Sequence, residues 1–231
     1  MKKSLDSFCL FLKHPKFLKL RKNKTQLFKD FTALFLLDVV FTGFLVSIIY
    51  LLLHFKIIKE HSGPDLLKEY GILGTLAFAC IFAPIFEEIL FRWHLRDLHG
   101  SIYFFFLSIS GLVTSQLNST LIQFYVVITT LLLAILTIKA LEKKGKFYAI
   151  RMWRKSYPYL FYYTAIIFGL LHLSNYKDLT IADPSFVIYI ASQTFGALTL
   201  GYLRIKYGLG YSILFHALFN LVAFSLAIFF D

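Results

Sequence analysis

Apolar residues along this chain gather into seven long runs separated by short polar stretches: Phe31–Leu53, Gly71–Leu95, Ser101–Leu117, Thr120–Leu141, Tyr159–Leu173, Ser185–Leu203 and Tyr211–Phe230. A helix rises about 1.5 Å per residue, so roughly 20 apolar residues cross the hydrocarbon layer of a bilayer. The pattern predicts an all-α polytopic membrane protein with about seven transmembrane helices, the third and fifth short for a full crossing. Ahead of the first run, residues 4–20 set Phe8, Phe11, Leu12, Phe17 and Leu18 among Lys13, Lys16 and Lys19, with a break at Pro15. That is the pattern of a basic amphipathic segment lying on the membrane, with a solvated basic tail as the plain alternative. The organisation expected is an N-terminal segment, 1–30, and one transmembrane helical domain, 31–231. The linkers Glu60–Tyr70 and Asn175–Pro184 read as turns at Gly63-Pro64 and Asp183-Pro184. No internal repeat, low-complexity tract or soluble domain is visible.

Composition strengthens this picture. The 231 residues are 58% hydrophobic with 27 Phe and 14 Tyr, and the mean hydropathy is +0.69. A soluble domain has nowhere to bury that much apolar surface. The net charge of +11 could suggest nucleic acid, but the basic residues lie between the apolar runs. With the N-terminus inside, nineteen of the 24 Lys and Arg fall in the inner stretches 1–30, 96–100, 139–157 and 204–210, against four outside. This is the positive-inside bias. It makes the lipid bilayer the partner, excludes nucleic acid, and places the N-terminus in the cytoplasm. The two cysteines, Cys9 and Cys80, do not make a disulfide framework. Residues 1–30 show no cleavable signal peptide.

Against this apolar background a few polar residues stand out. Glu87, Glu88 and Arg92 lie within six residues of the second run, and one charge at the centre of such a helix costs about 2.5–3.5 kcal/mol. Glu88 and Arg92 are i and i+4, so they share a face and pair. Glu87 points about 100° away and is left free. The fifth run carries His172. The seventh carries His216 and Asn220, again i and i+4. Each alone is as well explained by helix–helix hydrogen bonding as by function; acids, imidazoles and an amide on three separate runs point to a site. Other features take plainer readings. His14, His54, His61, His94 and His99 sit at span ends or in loops and are expected at the interface. Asp38 either pairs with a neighbouring helix or lines a cavity. Gly196 and Gly201 are expected at helix contacts, and Tyr157, Tyr159, Tyr162 and Tyr163 in an aromatic belt. Cys80, i−7 from Glu87, is expected to share its face and serve packing.

Pro84-x-x-Glu87-Glu88-x-x-x-Arg92 with Phe91 before the arginine, then Phe168-x-x-x-His172, then His216-x-x-x-Asn220, resemble the three motifs of the CPBP intramembrane protease family. That family comprises the type II CAAX prenyl endopeptidases and the bacteriocin-processing or self-immunity proteins, also called ABI. The resemblance spans roughly residues 75–225. It implies a helical-bundle endopeptidase of the bacterial inner membrane that hydrolyses a peptide bond in a membrane-associated or hydrophobic peptide. It implies that Glu87 activates water, that Glu88 and Arg92 support it, that His172 works with the base, and that His216 and Asn220 hold the oxyanion. The implied mechanism needs no cofactor; a zinc site built from Glu87, His172 and His216 is the alternative, although no His-Glu-x-x-His is present. Two departures concern the substrate entrance: Trp93 stands where glycine is common, and about 75 residues separate Arg92 from Phe168, with Thr120–Arg154 adding a span and a basic loop. On this topology Glu87 and His216 lie in the inner half, whereas His172, ~20 Å into its run, lies toward the other side. A non-enzymatic immunity or partner-binding protein is the second reading. A proton-coupled carrier titrating Glu87 is a third, with no half-to-half repeat to support it.

Overall fold

The computed structural model describes residues 1–63 and 66–230. Helices α1 (Lys2–Lys13), α2 (Lys24–His54), α3 (Leu66–Ala77), α4 (Ala83–Arg92), α5 (Leu98–Thr114), α6 (Thr120–Lys143), α7 (Lys146–Leu171), α8 (Phe186–Lys206) and α9 (Leu209–Phe230) follow one another, and no strand occurs among the described residues. A π-turn, Phe78–Phe82, joins α3 to α4, so the second apolar run is one interrupted helix. Five segments are long and apolar enough to cross a membrane: α2, Leu67–Arg96, α6, α8 and Leu209–Leu226. α5 is apolar but has only 17 residues.

α7 begins at Lys146, well before the Tyr159 expected from hydropathy, and runs through Pro158. Hydropathy marks where lipid begins, whereas backbone hydrogen bonding continues through a basic first half that carries Lys146, Arg151, Arg154 and Lys155. α7 packs closely on α8. Gly201 makes this possible, because a Cβ there would lie 2.8 Å from the Phe161 ring. The helix-contact reading of Gly201 therefore holds.

The N-terminal segment differs from expectation. Phe8 and Phe11 are 1% and 6% exposed, with the Phe11 ring 5.1 Å from both Phe161 and Tyr202. The apolar face that suggested a helix resting on lipid is inserted against α7 and α8, while Cys9 and Leu10 face outward. Amphipathic periodicity reports an apolar surround and does not distinguish lipid from protein. Phe17 then packs on Trp153. The Arg96 guanidinium donates to the carbonyls of Leu18 and Ile205 at 2.9 and 2.7 Å, which fastens the segment across the bundle end. Truncating Phe8 to Ala is expected to destabilise the protein by about 3–5 kcal/mol. Thermal unfolding in detergent reads this, and an unchanged midpoint would return α1 to the lipid surface.

At the same end α2 and α8 are joined by Lys206, whose Nζ lies 2.5 Å from Asp30 Oδ2 with the Tyr207 hydroxyl at 2.7 Å. At the other end Asp183 Oδ1 accepts from the Ser185 N–H and hydroxyl at 2.9 and 2.8 Å, which holds its carboxyl below the usual carboxylate range and forms the expected turn. His61 reaches this loop, 3.5 Å from Asp183. Of the other predicted turn, Pro64 lies outside the described residues.

Two interfacial readings need correction. His94 is buried, 2.9 Å from Thr164 Oγ1 and stacked on Phe104 at 3.8 Å. Of the four belt tyrosines, Tyr157 is buried with its hydroxyl on the Leu95 carbonyl, Tyr162 donates to the Leu12 carbonyl, and Tyr163 meets Ser108. Tyr159, 77% exposed, faces outward, and Tyr162 stays 37% exposed. Packing of α7 brings these rings against the turn after α4, α1 and α5, and only Tyr157 lies in the basic half that hydropathy omitted.

Candidate active site

The site is built around the break between α3 and α4. α3 bends at Gly71, whose φ of 64° favours glycine. The π-turn follows, in which the Ala83 N–H bonds to the Phe78 carbonyl. Continuing that pattern, the Ala79 carbonyl would take its hydrogen from residue 84, which is a proline and has none. Asn220 supplies the missing donor from α9, with Nδ2 2.7 Å from the Ala79 oxygen. The π-turn also shifts the helix faces. Ala79, Ala83 and Glu87 line an interior cavity, while Cys80 turns with Leu73, Leu76 and Ile81 to an outward groove. The i,i+7 argument that placed Cys80 on the face of Glu87 fails at this turn.

Below it, α4 presents its charges in two ways. Glu88 and Arg92 are both 0% exposed and 3.2 Å apart, the i,i+4 pair expected. The Arg92 guanidinium lies 4.1 Å from the centroid of the Phe168 ring, so an aromatic face supplements the carboxylate. Glu88 Oε1 is in turn 3.1 Å from His216 Nδ1. Glu87 points elsewhere: its Oε2 is 3.8 Å from His216 Nε2 and 4.0 Å from His172 Nε2. His172 Nδ1 lies 2.7 Å from the Phe168 carbonyl oxygen. A carbonyl only accepts, so Nδ1 carries the hydrogen, and Nε2 of the neutral ring presents its lone pair toward Glu87. The same bond folds the imidazole back over the preceding turn, the direction helical side chains take. That fold-back brings His172 to Glu87 despite its distance along α7.

The three motifs thus meet in one cavity of about 350 Å³, lined by Glu87, His172, His216 and Asn220 with polar residues that motif spacing missed. These are Asp38 and Thr42 from α2, Asn175 after α7, and Ser192 and Gln193 from α8. Three successive polar residues, Ser192-Gln193-Thr194, inside an apolar run were the available signal. Gly196, read as a helix contact, faces Asp38 of α2 and lines the cavity as well. Asn220 gives one amide hydrogen to Ala79 and has a second for the cavity. A larger groove of about 820 Å³ between α4, α5 and α7 is lined by residues such as Phe91, Phe104 and Leu107, and Glu87, His172, His216 and Asn220 are not among its lining.

The gaps from Glu87 to His172 and His216 are wider than those between the ligands of a bound zinc. Ligands about 2.0–2.2 Å from a tetrahedral zinc lie roughly 3.4 Å apart, closer than the 3.8 and 4.0 Å seen from Glu87. Among the described residues no three His, Cys, Asp or Glu side chains are disposed to hold a metal.

A family model described as Type II CAAX prenyl endopeptidase Rce1-like matches residues 69–222. The chain belongs to this Rce1-like family. It is a multi-pass integral membrane protein with the helical-bundle fold of CAAX-type intramembrane proteases. The Rce1-like region contains all three motifs and leaves α1 and α2 outside, Asp38 among them. No curated protein and no solved structure matches the chain.

Proposed function

We propose that this Rce1-like protein is a glutamate-type intramembrane endopeptidase that cleaves a hydrophobic or membrane-associated peptide near the cytoplasmic side. The observation that carries this is Glu87 Oε2 facing the Nε2 atoms of both His172 and His216 across 4.0 and 3.8 Å. Those gaps are too long for a direct hydrogen bond, and one water spans either of them. A water donating to Glu87 Oε2 and His172 Nε2 has its lone pair free to attack a peptide carbonyl. As the oxygen–carbon bond forms, the carbonyl π electrons move to oxygen and Glu87 takes the proton. Collapse of the tetrahedral intermediate breaks the C–N bond, with that proton delivered to the leaving nitrogen. Protonated at both ring nitrogens, His216 donates from Nδ1 to Glu88 and from Nε2 into the cavity, beside the second amide hydrogen of Asn220. Glu88, fixed by Arg92, thereby positions the oxyanion donor. The end of the bundle carrying Arg96 and Lys206 faces the cytoplasm, as the bias of basic residues requires.

The test is turnover of an internally quenched apolar peptide by the purified protein. His172→Ala and His216→Ala are each expected to lower kcat by about 10²–10³; His172→Ala should keep the unfolding midpoint, whereas His216→Ala, which takes a partner from buried Glu88, should lower it. Activity is expected to persist in EDTA and 1,10-phenanthroline. Loss in chelator with recovery on adding zinc would sink the metal-free mechanism, and unaltered kcat in both histidine variants would sink the site.

A further inference from the structure

Of the ionisable side chains lining the cavity, Glu87, His172 and His216 carry the proposed chemistry and Asp38 does not. Asp38 sits on α2, 2% exposed. A carboxylate offers about four acceptor sites, and this one is poorly served. Its Oδ2 lies 3.0 Å from the Thr199 hydroxyl, and that hydroxyl is also 2.8 Å from the Gly196 carbonyl, so one proton is divided between two acceptors. Its Oδ1 is buried with no hydrogen-bond partner. The buried cations Arg92 and Lys206 are paired with Glu88 and Asp30. A polar group left this unsatisfied inside a membrane bundle marks a place for something to bind. Gly196 supports that reading. A Cβ there would lie 3.6 and 3.9 Å from the two Asp38 oxygens, so glycine leaves the carboxylate open, and a methyl would cover it without a clash.

We propose that Asp38 is a substrate-binding residue whose free oxygen accepts a hydrogen bond from an N–H group of the bound peptide, either a main-chain amide or a cationic side chain. This rests on the reading that the cavity takes a peptide, and it places part of substrate recognition on a helix outside the Rce1-like region.

Binding is best measured without turnover, in Glu87→Gln protein, so that an error in the catalytic assignment does not affect the result. The probes are a short fluorescent peptide of alanine and leucine with one central lysine, and the same peptide with norleucine in its place. Adding Asp38→Ala or Gly196→Ala is expected to raise Kd at least about tenfold, with the unfolding midpoint held. Loss confined to the lysine peptide, deeper in Asp38→Asn than for the norleucine probe, identifies a cationic side chain as the donor. Equal loss for both peptides, with Asp38→Asn retaining binding through its carbonyl, identifies the main chain. Unchanged Kd in Asp38→Ala overturns the proposal, whereas failure of both peptides to bind protein with Asp38 intact overturns the peptide reading on which it rests.

Discussion

Replacing Glu87 by Gln is expected to lower peptide turnover by about 10²–10⁴, the contribution of a positioned general base, while leaving the bundle folded. The substitution keeps the shape and polarity of the side chain and removes only its capacity to take a proton. Little structure depends on that carboxylate. Its side chain is 32% exposed, its approaches to His172 and His216 are 4.0 and 3.8 Å, and Oε2 has no hydrogen-bond partner. Its neighbour behaves differently. Glu88 is 0% exposed, ion-paired with Arg92 and hydrogen-bonded to His216, so Glu88→Gln is expected to disturb stability and activity together. Two adjacent glutamates separated in this way distinguish a base from a support. Full activity in Glu87→Gln, measured with the quenched peptide, would end the assignment of the base.

Much of this site was legible because the relevant spacings fall within unbroken helix. Glu88 and Arg92 pair, and His216 and Asn220 leave α9 on one side, because four residues make about one turn. What could not be read follows from breaks in that rule and from the ambiguity of apolar surroundings. The partner of Asn220 depends on a π-turn ending at a proline, and neither the turn nor the carbonyl it leaves unpaired has a periodic signature. Cys80 was misplaced by the same extra residue. The start of α7 was lost because basic residues hide a helix from hydropathy without interrupting it. Phe8 was assigned to lipid because a buried aromatic ring has the same periodicity whichever apolar medium receives it. Asp38 was visible as an anomaly, but its relation to the three motifs is tertiary: it arrives on α2, far from them in sequence, and only the fold brings it to the cavity.

Arg92→Leu is expected to destabilise the protein by about 3–5 kcal/mol, because it leaves the Glu88 carboxylate buried without its counter-charge. The size of the effect comes from what remains and not from what is removed. Both partners are 0% exposed, and the Arg92 guanidinium is enclosed between Glu88 and the Phe168 ring. Arg92→Lys keeps the charge but loses the planar cation that stacks on Phe168, so its cost should be smaller. Pairing Arg92→Leu with Glu88→Gln removes the orphaned charge and should recover much of the lost stability, giving a large coupling in a double-mutant cycle. Activity should not recover with it. The double variant lacks the ionised oxygen that holds His216 Nδ1 at 3.1 Å, and so loses the orientation of the oxyanion donor. Unfolding midpoints in detergent beside peptide turnover separate these two roles. An Arg92→Leu protein as stable as the parent would mean that Glu88 is already neutral in the fold, and the division of labour between the two glutamates would have to be redrawn.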